Sequence, residues 1–216
     1  MPALALLGLI VIAIGAVLVI KPGTADAAAP AINATVQGLR KWEGLYTYLY
    51  RDNRGYFTTG IGNLTNTLEK CLKLPWRVGG ELATPGEITR QWNAAQDSAS
   101  GNYKPQYYEN LTTMRISERD AIDLCAFRLR NEFLPALRER FQDFNTFPST
   151  AQQALIDMIY SLGAGGLDKF KTMVQACKVR NFIGASQACN RVGGRPERDE
   201  YVRNLFIAAA KVTNVS

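Results

Sequence analysis

The chain has no histidine at all. That absence removes every Ser-His-Asp triad, every Cys-His pair and every histidine-based zinc site, because each of them needs an imidazole. Cysteine is also sparse. Cys71, Cys125, Cys177 and Cys189 include no C-x-x-C pair and lack the clustered spacing of a zinc site, which argues against a metal role. They stand either as small buried hydrophobes or as disulfide partners, and the compartment decides between the two. There is no long Lys/Arg run, no Arg-rich helix and no RNA- or DNA-binding motif, so nucleic acid is not an expected partner even though the formal net charge is +6. No internal repeat or low-complexity domain is visible, and 216 residues suit one domain, in one or two lobes. Carboxylate chemistry is what remains.

Residues 1–20, "MPALALLGLIVIAIGAVLVI", lack any charged side chain. The run is long enough to cross a bilayer, yet its Ala and Gly content makes it less hydrophobic than a Leu-rich anchor. Its nearest basic residue, Lys21, lies on the far side, whereas a secretory signal carries its positive charge in front. Ala25, Asp26 and Ala27 form a small-x-small pattern of the cleavage type. Retention as an anchor and removal after Ala27 both export the remaining chain, which permits disulfides, with Cys177 and Cys189 as the first pair expected and Cys71 with Cys125 the second.

Beyond an Ala-rich linker at 21–30, Ile32, Val36, Leu39 and Trp42 fall at helical spacing, and Gly44 is placed to end that helix just after Glu43. Residues 45–51 and 56–61 flank "DNRG" and predict a hairpin whose turn opens at Asp52. From Thr65 to Thr113 the chain is rich in Gly, Pro and Asn, with one helical piece beginning at Thr84 and Pro85. Further helices are expected after Ser117, over 150–162 with a stop at Gly163 to Gly166, near 167–179 and 181–190, and from Pro196. The fold class is α+β, mainly helical, with a small β-sheet in an N-terminal lobe and a helical C-terminal lobe.

Hydrolysis of a glycosidic bond needs a proton donor at the bridging oxygen and a second group across the sugar, and two carboxylates can supply both. Glu43, then Asp52, then Thr58, followed by Gly60-Ile61-Gly62, resembles the active-site segment of the phage-type lysozymes, glycoside hydrolase family 24. "ALIDMIYSLGAGGLDKF" is similar to that family's central buried helix and the turn after it, "GRPERDEYVRNLF" to its closing segment, and "ISERDAIDL" to the start of the helix joining its lobes. The resemblance spans roughly residues 31–210 of the expected catalytic domain at 31–216, with about 65–113 as an insertion.

The resemblance implies an inverting muramidase that cuts the β-1,4 bond between N-acetylmuramic acid and N-acetylglucosamine, working as a monomer on peptidoglycan glycan strands without a cofactor. It implies Glu43 as general acid, Asp52 as base or electrostatic partner, Thr58 as holder of the attacking water, Leu64 and Tyr160 as substrate contacts, and Arg198 in support of the acid. A helix C-terminus and partial burial both favour the protonated form of Glu43, while an Arg198 pair opposes it. The weakly hydrophobic N-terminus resembles the signal-arrest-release segments of endolysins, which implies tethering in the bacterial inner membrane and later release to the periplasm for host lysis. This chain departs from the family at Asn63, where His is common, and at Asp157 and Ser161, where Asn is usual. Two alternatives stay open: a lytic transglycosylase, which needs the acid but no water-positioning pair, and a membrane-anchored glycan-binding or scaffold protein that shares the fold without turnover.

Overall fold

Helix α1 (Ala29–Glu43) starts inside the stretch expected to be linker, because Asp26 organises its N-terminus. The Ala28 amide donates to Asp26 Oδ1 at 3.1 Å and the Ala29 amide to Asp26 O at 2.8 Å, so two otherwise orphaned donors are satisfied. The computed structural model describes residues 26–98 and 104–213. The apolar run 1–20 and its expected membrane role lie outside them. Among the described residues, no helix is long and apolar enough to cross a membrane.

After α1 come strands β1 (Tyr46–Arg51), β2 (Phe57–Gly60) and β3 (Asn63–Leu64), which form one sheet in the order β1-β2-β3. The expected turn joins the first two: the Gly55 amide donates to Asp52 O at 3.0 Å, and the Asp52 amide to Tyr56 O at 2.9 Å. Helix α2 (Leu68–Leu72) is capped by Thr67, and β4 (Arg77–Val78) pairs antiparallel with β5 (Glu81–Leu82). Helix α3 (Pro85–Asp97) carries a complete capping box between Thr84 and Glu87, and α4 (Glu118–Arg128) carries another between Ser117 and Asp120. Pro135 has no amide hydrogen, so the helix cannot continue through it unchanged. Leu129–Phe133 open into a π turn before α5 (Leu134–Arg140) begins.

Helix α6 (Ser149–Leu167) breaks at Gly163, where the sequence places the stop. That glycine adopts φ 72° and ψ 170°, a conformation that breaks the helical path, yet helical structure resumes beyond it as far as Leu167. Helices α7 (Lys171–Lys178), α8 (Phe182–Gln187) and α9 (Pro196–Thr213) complete the chain.

The described residues divide into two compact units. One contains 26–47, 59–63 and 117–213. At its centre α6 packs against α1, α5 and α9, while α8 packs against both α7 and α9. Ala154, Leu155, Ile156, Met158 and Ile159 are completely buried, as expected of an almost wholly apolar helix, and Leu39, Phe144, Val202 and Phe206 fill the space around them. Truncating one of those phenylalanines to Ala costs about 3–5 kcal/mol.

The other unit contains 48–58, 64–98 and 104–116, so the stretch after Thr65 makes up most of a body with its own core. Trp92 packs on Phe57 with ring centroids 4.8 Å apart, and buried Trp76 donates from its indole to Cys71 O at 2.9 Å. Gln91 accepts from the amides of Thr113 (2.7 Å) and Met114 (2.9 Å), satisfying two donors at the edge of this core. Tyr48 and Tyr50 are buried and serve packing, whereas Tyr56 is half exposed.

All four cysteines are free thiols, which corrects both expected disulfide pairs. Each is packed as a small hydrophobe, in line with the other possibility open from the sequence: Cys71, Cys125 and Cys177 are pushed up to about 12 by burial, and Cys189 is also raised by burial. Cys189 donates to Ser186 O at 3.3 Å, and Cys71 and Cys125 belong to different units.

Candidate active site

Glu43 is the last residue of α1, and Gly44 makes its position possible. Gly44 has φ 78°, and a Cβ there would stand 2.8 Å from the Tyr46 ring, so a side chain is excluded on both counts. The chain therefore turns sharply just past the acid. The Glu43 side chain is 31% exposed, enough to reach solvent from one side.

Its partner is Arg198 from the first turns of α9, with Nη1 donating to Glu43 Oε1 at 2.7 Å. The rest of that guanidinium faces Asp157 on α6: Nε donates to Oδ1 at 3.0 Å and to Oδ2 at 3.3 Å, and Nη2 to Oδ2 at 3.2 Å. Burial works to lower the Arg198 pKa, but Asp157 first and Glu43 second outweigh it, and the net direction is upward. Asp157 also receives Arg191 Nη1 at 3.1 Å. Arg191 in turn binds Asp199 through Nε at 2.6 Å and Ser161 Oγ through Nη1 at 2.9 Å. Three carboxylates and two guanidiniums thus form one partly buried chain. Arg195 Nη1 donates to Trp42 O at 3.0 Å, placing positive charge on the carbonyl end of α1.

Tyr160, one turn beyond Asp157 on α6, donates from its hydroxyl to Ile61 O. Gly62, with φ 64°, presents its carbonyl to Arg128 Nη1 at 2.8 Å, and the Arg128 guanidinium lies over the rings of Phe133 and Tyr160. The Gly-Ile-Gly segment is therefore pinned by backbone contacts to α4 and α6.

The other unit holds Asp52, Thr58 and Leu64. Asp52 Oδ1 accepts from the amides of Arg54 and Tyr56, both at 2.9 Å, which fixes the carboxylate on its own turn. Thr58 is buried and donates to Tyr56 O at 3.2 Å, so the backbone of one residue, Tyr56, ties to both. Leu64 is exposed at the end of β3. Of the residues expected from the sequence, Glu43 and Arg198 are in direct contact, Asp52 and Thr58 share a hairpin, and Tyr160 holds the loop that carries Gly62.

The chain matches the crystal structure of a point mutant of P22 lysozyme with a TM-score of 0.52 at 18% sequence identity, covering 81% of this chain and 95% of that one. The fold is lysozyme-like. No family model and no curated protein matches the chain.

Arg191 and Asp199 of this lysozyme-like fold were not foreseen from the sequence. A signal was present. Asp157 stands in an almost wholly apolar helix, and a buried carboxylate there demands cationic partners, which the arginine cluster Arg191, Arg195 and Arg198 around the start of the final helix can supply. Among the described residues, no group of three or more Cys, Asp or Glu side chains is placed to hold a metal ion.

Proposed function

We propose that the chain is a peptidoglycan-degrading glycoside hydrolase, a muramidase that cuts the β-1,4 bond between N-acetylmuramic acid and N-acetylglucosamine. The observation that carries this reading is a partly exposed carboxylate, Glu43, held at the end of a helix by Arg198 within a lysozyme-like fold. In this proposal Glu43 protonates the leaving oxygen, Asp52 acts as base or electrostatic partner, and Thr58 holds the attacking water for an inverting displacement. Leu64 and Tyr160 contact the glycan, and Arg198 sets the direction of Glu43. The proposal extends to a phage-type endolysin, exported and tethered in the inner membrane by residues 1–20, with about 65–113 as an insertion, then released to the periplasm to lyse the host.

Turbidity clearing of outer-membrane-stripped Gram-negative cells tests the chemistry. The full chain is expected to clear them, and Glu43→Gln to lose about 100-fold or more of the rate, since an amide cannot donate the proton. Undiminished clearing by a folded Glu43→Gln variant moves the acid role elsewhere. Products that keep their anomeric configuration reject the water-holding role of Thr58, and anhydro sugar ends indicate a transglycosylase.

A further inference from the structure

Asp157 has 1% side-chain exposure and meets two guanidiniums, Arg198 and Arg191, of which only Arg198 also touches Glu43. Lysozyme-like chemistry at Glu43 requires no second carboxylate in that place, and a buried ion cluster is costly unless every member is matched. Here the matching is directional. The Nε and Nη2 edge of Arg198 is taken up by Asp157, and only Nη1 is left for the acid. Arg191 holds Asp157 from its other side and is itself anchored by Asp199 through both its side chain and its backbone amide, the latter at 3.2 Å.

We infer that Asp157 and Arg191 are positioning residues that partition the charge of Arg198, so that Glu43 is held in place by the arginine without receiving its full positive field. The inference rests on the hydrolase reading above. Its sign follows from electrostatics. Without Asp157, Glu43 is the one carboxylate bonded to Arg198 among the described residues, and its ionised form is favoured. Without Arg191, Asp157 loses a cation, more of its negative field reaches the acid, and the protonated form is favoured. The other charged or titratable groups facing Glu43, Asp157 or Arg198 are Arg195 at the end of α1, Lys41 two residues back over the Trp42 ring, Tyr201 on α9, which interacts with both Asp157 and Arg198, Cys125 and Arg128 on α4, and Asp199 beyond Arg191. None of these is replaced in either variant, and in Arg191→Gln the Asp199 carboxylate loses that cation, which adds to the upward direction.

The test compares pH profiles of kcat/KM for the full chain and for Asp157→Asn and Arg191→Gln. The alkaline limb, which reports loss of the acid's proton, is expected to move down by about 1 pH unit in Asp157→Asn and up in Arg191→Gln, with KM unchanged in both. A structural role alone lowers activity in both variants without opposite shifts. Limbs that stay fixed or move in the same direction overturn the inference while leaving the hydrolase reading intact, whereas an inactive wild-type chain overturns the hydrolase reading itself. If one variant lacks a cooperative urea transition, the sign in the other decides. If both lack it, the two residues serve stability and the inference is wrong.

Discussion

Replacing Gly62 by Ala loads two independent costs onto one position. At φ 64° a Cβ is disfavoured by about 1–2 kcal/mol, the penalty of left-handed backbone for an L-residue. The same Cβ would stand 2.8 Å from the Tyr160 hydroxyl, which must retreat and give up its bond to Ile61 O, at about 1 kcal/mol. The sum is about 2–3 kcal/mol, or a fall of about 5–10 °C in Tm for a domain of this size. Urea unfolding of Gly62→Ala, Tyr160→Phe and the double variant separates the two costs. Phe removes the hydroxyl that the Cβ strikes, so the double variant should be about 1 kcal/mol more stable than the sum of the single effects predicts. Additivity to within about 0.3 kcal/mol would refute the contact between Gly62 and Tyr160.

Arg198→Met leaves buried Asp157 with Arg191 as its remaining guanidinium, and a loss of about 3 kcal/mol is expected in urea unfolding; a loss below about 1 kcal/mol would mean the pair is not buried as described. With three of the thiols pushed up to about 12 by burial, an Ellman reagent at pH 8 should label none of the four in the folded chain and all of them in guanidinium; prompt labelling of the native chain, or missing thiols after denaturation, contradicts the packing. Glu87 is held below its usual range first by the Thr84 backbone amide and then by the Thr84 hydroxyl, so its contribution to folding is present above the unfolded-state pKa and lost as pH falls through the folded one. Carboxyl NMR should find that depressed titration, and Thr84→Ala, which keeps the amide, should raise it only part of the way.

Elements announced by a local chemical signature appear where the sequence placed them. Thr84 and Ser117 each head a capping box, Pro196 opens α9, and "DNRG" closes the hairpin, because caps and turns act over three or four residues. What stayed hidden depends on distant partners. The break at Gly163 was legible, but the short helical stretch from there to Leu167 was not. Apart from the helix headed by Thr84, the stretch after Thr65 was hard to read because its order comes from tertiary packing: Trp76 on Cys71 O, Gln91 on two amides and Trp92 on Phe57. Glu43 and Arg198 could be paired by resemblance, whereas Arg191 and Asp199 could not, since nothing local records that Arg191 crosses from its loop to α6.

The N-terminus of α1 also has a mechanical side. Asp26 is bound to Arg138 Nη2 at 2.7 Å while its carboxylate and carbonyl hold the amides of Ala28 and Ala29, and Ala28 is fully buried. From there one uninterrupted helix of 15 residues, about 22 Å long, ends in Glu43. A helix is stiff over such a length, so the acid stands at the far end of a rod whose near end is riveted to the fold. A load applied upstream of Asp26 passes into that rivet instead of being absorbed by slack chain. The Asp26 to Arg138 contact is the first described side-chain tie such a load meets, and the length of α1 sets the distance from that tie to the acid.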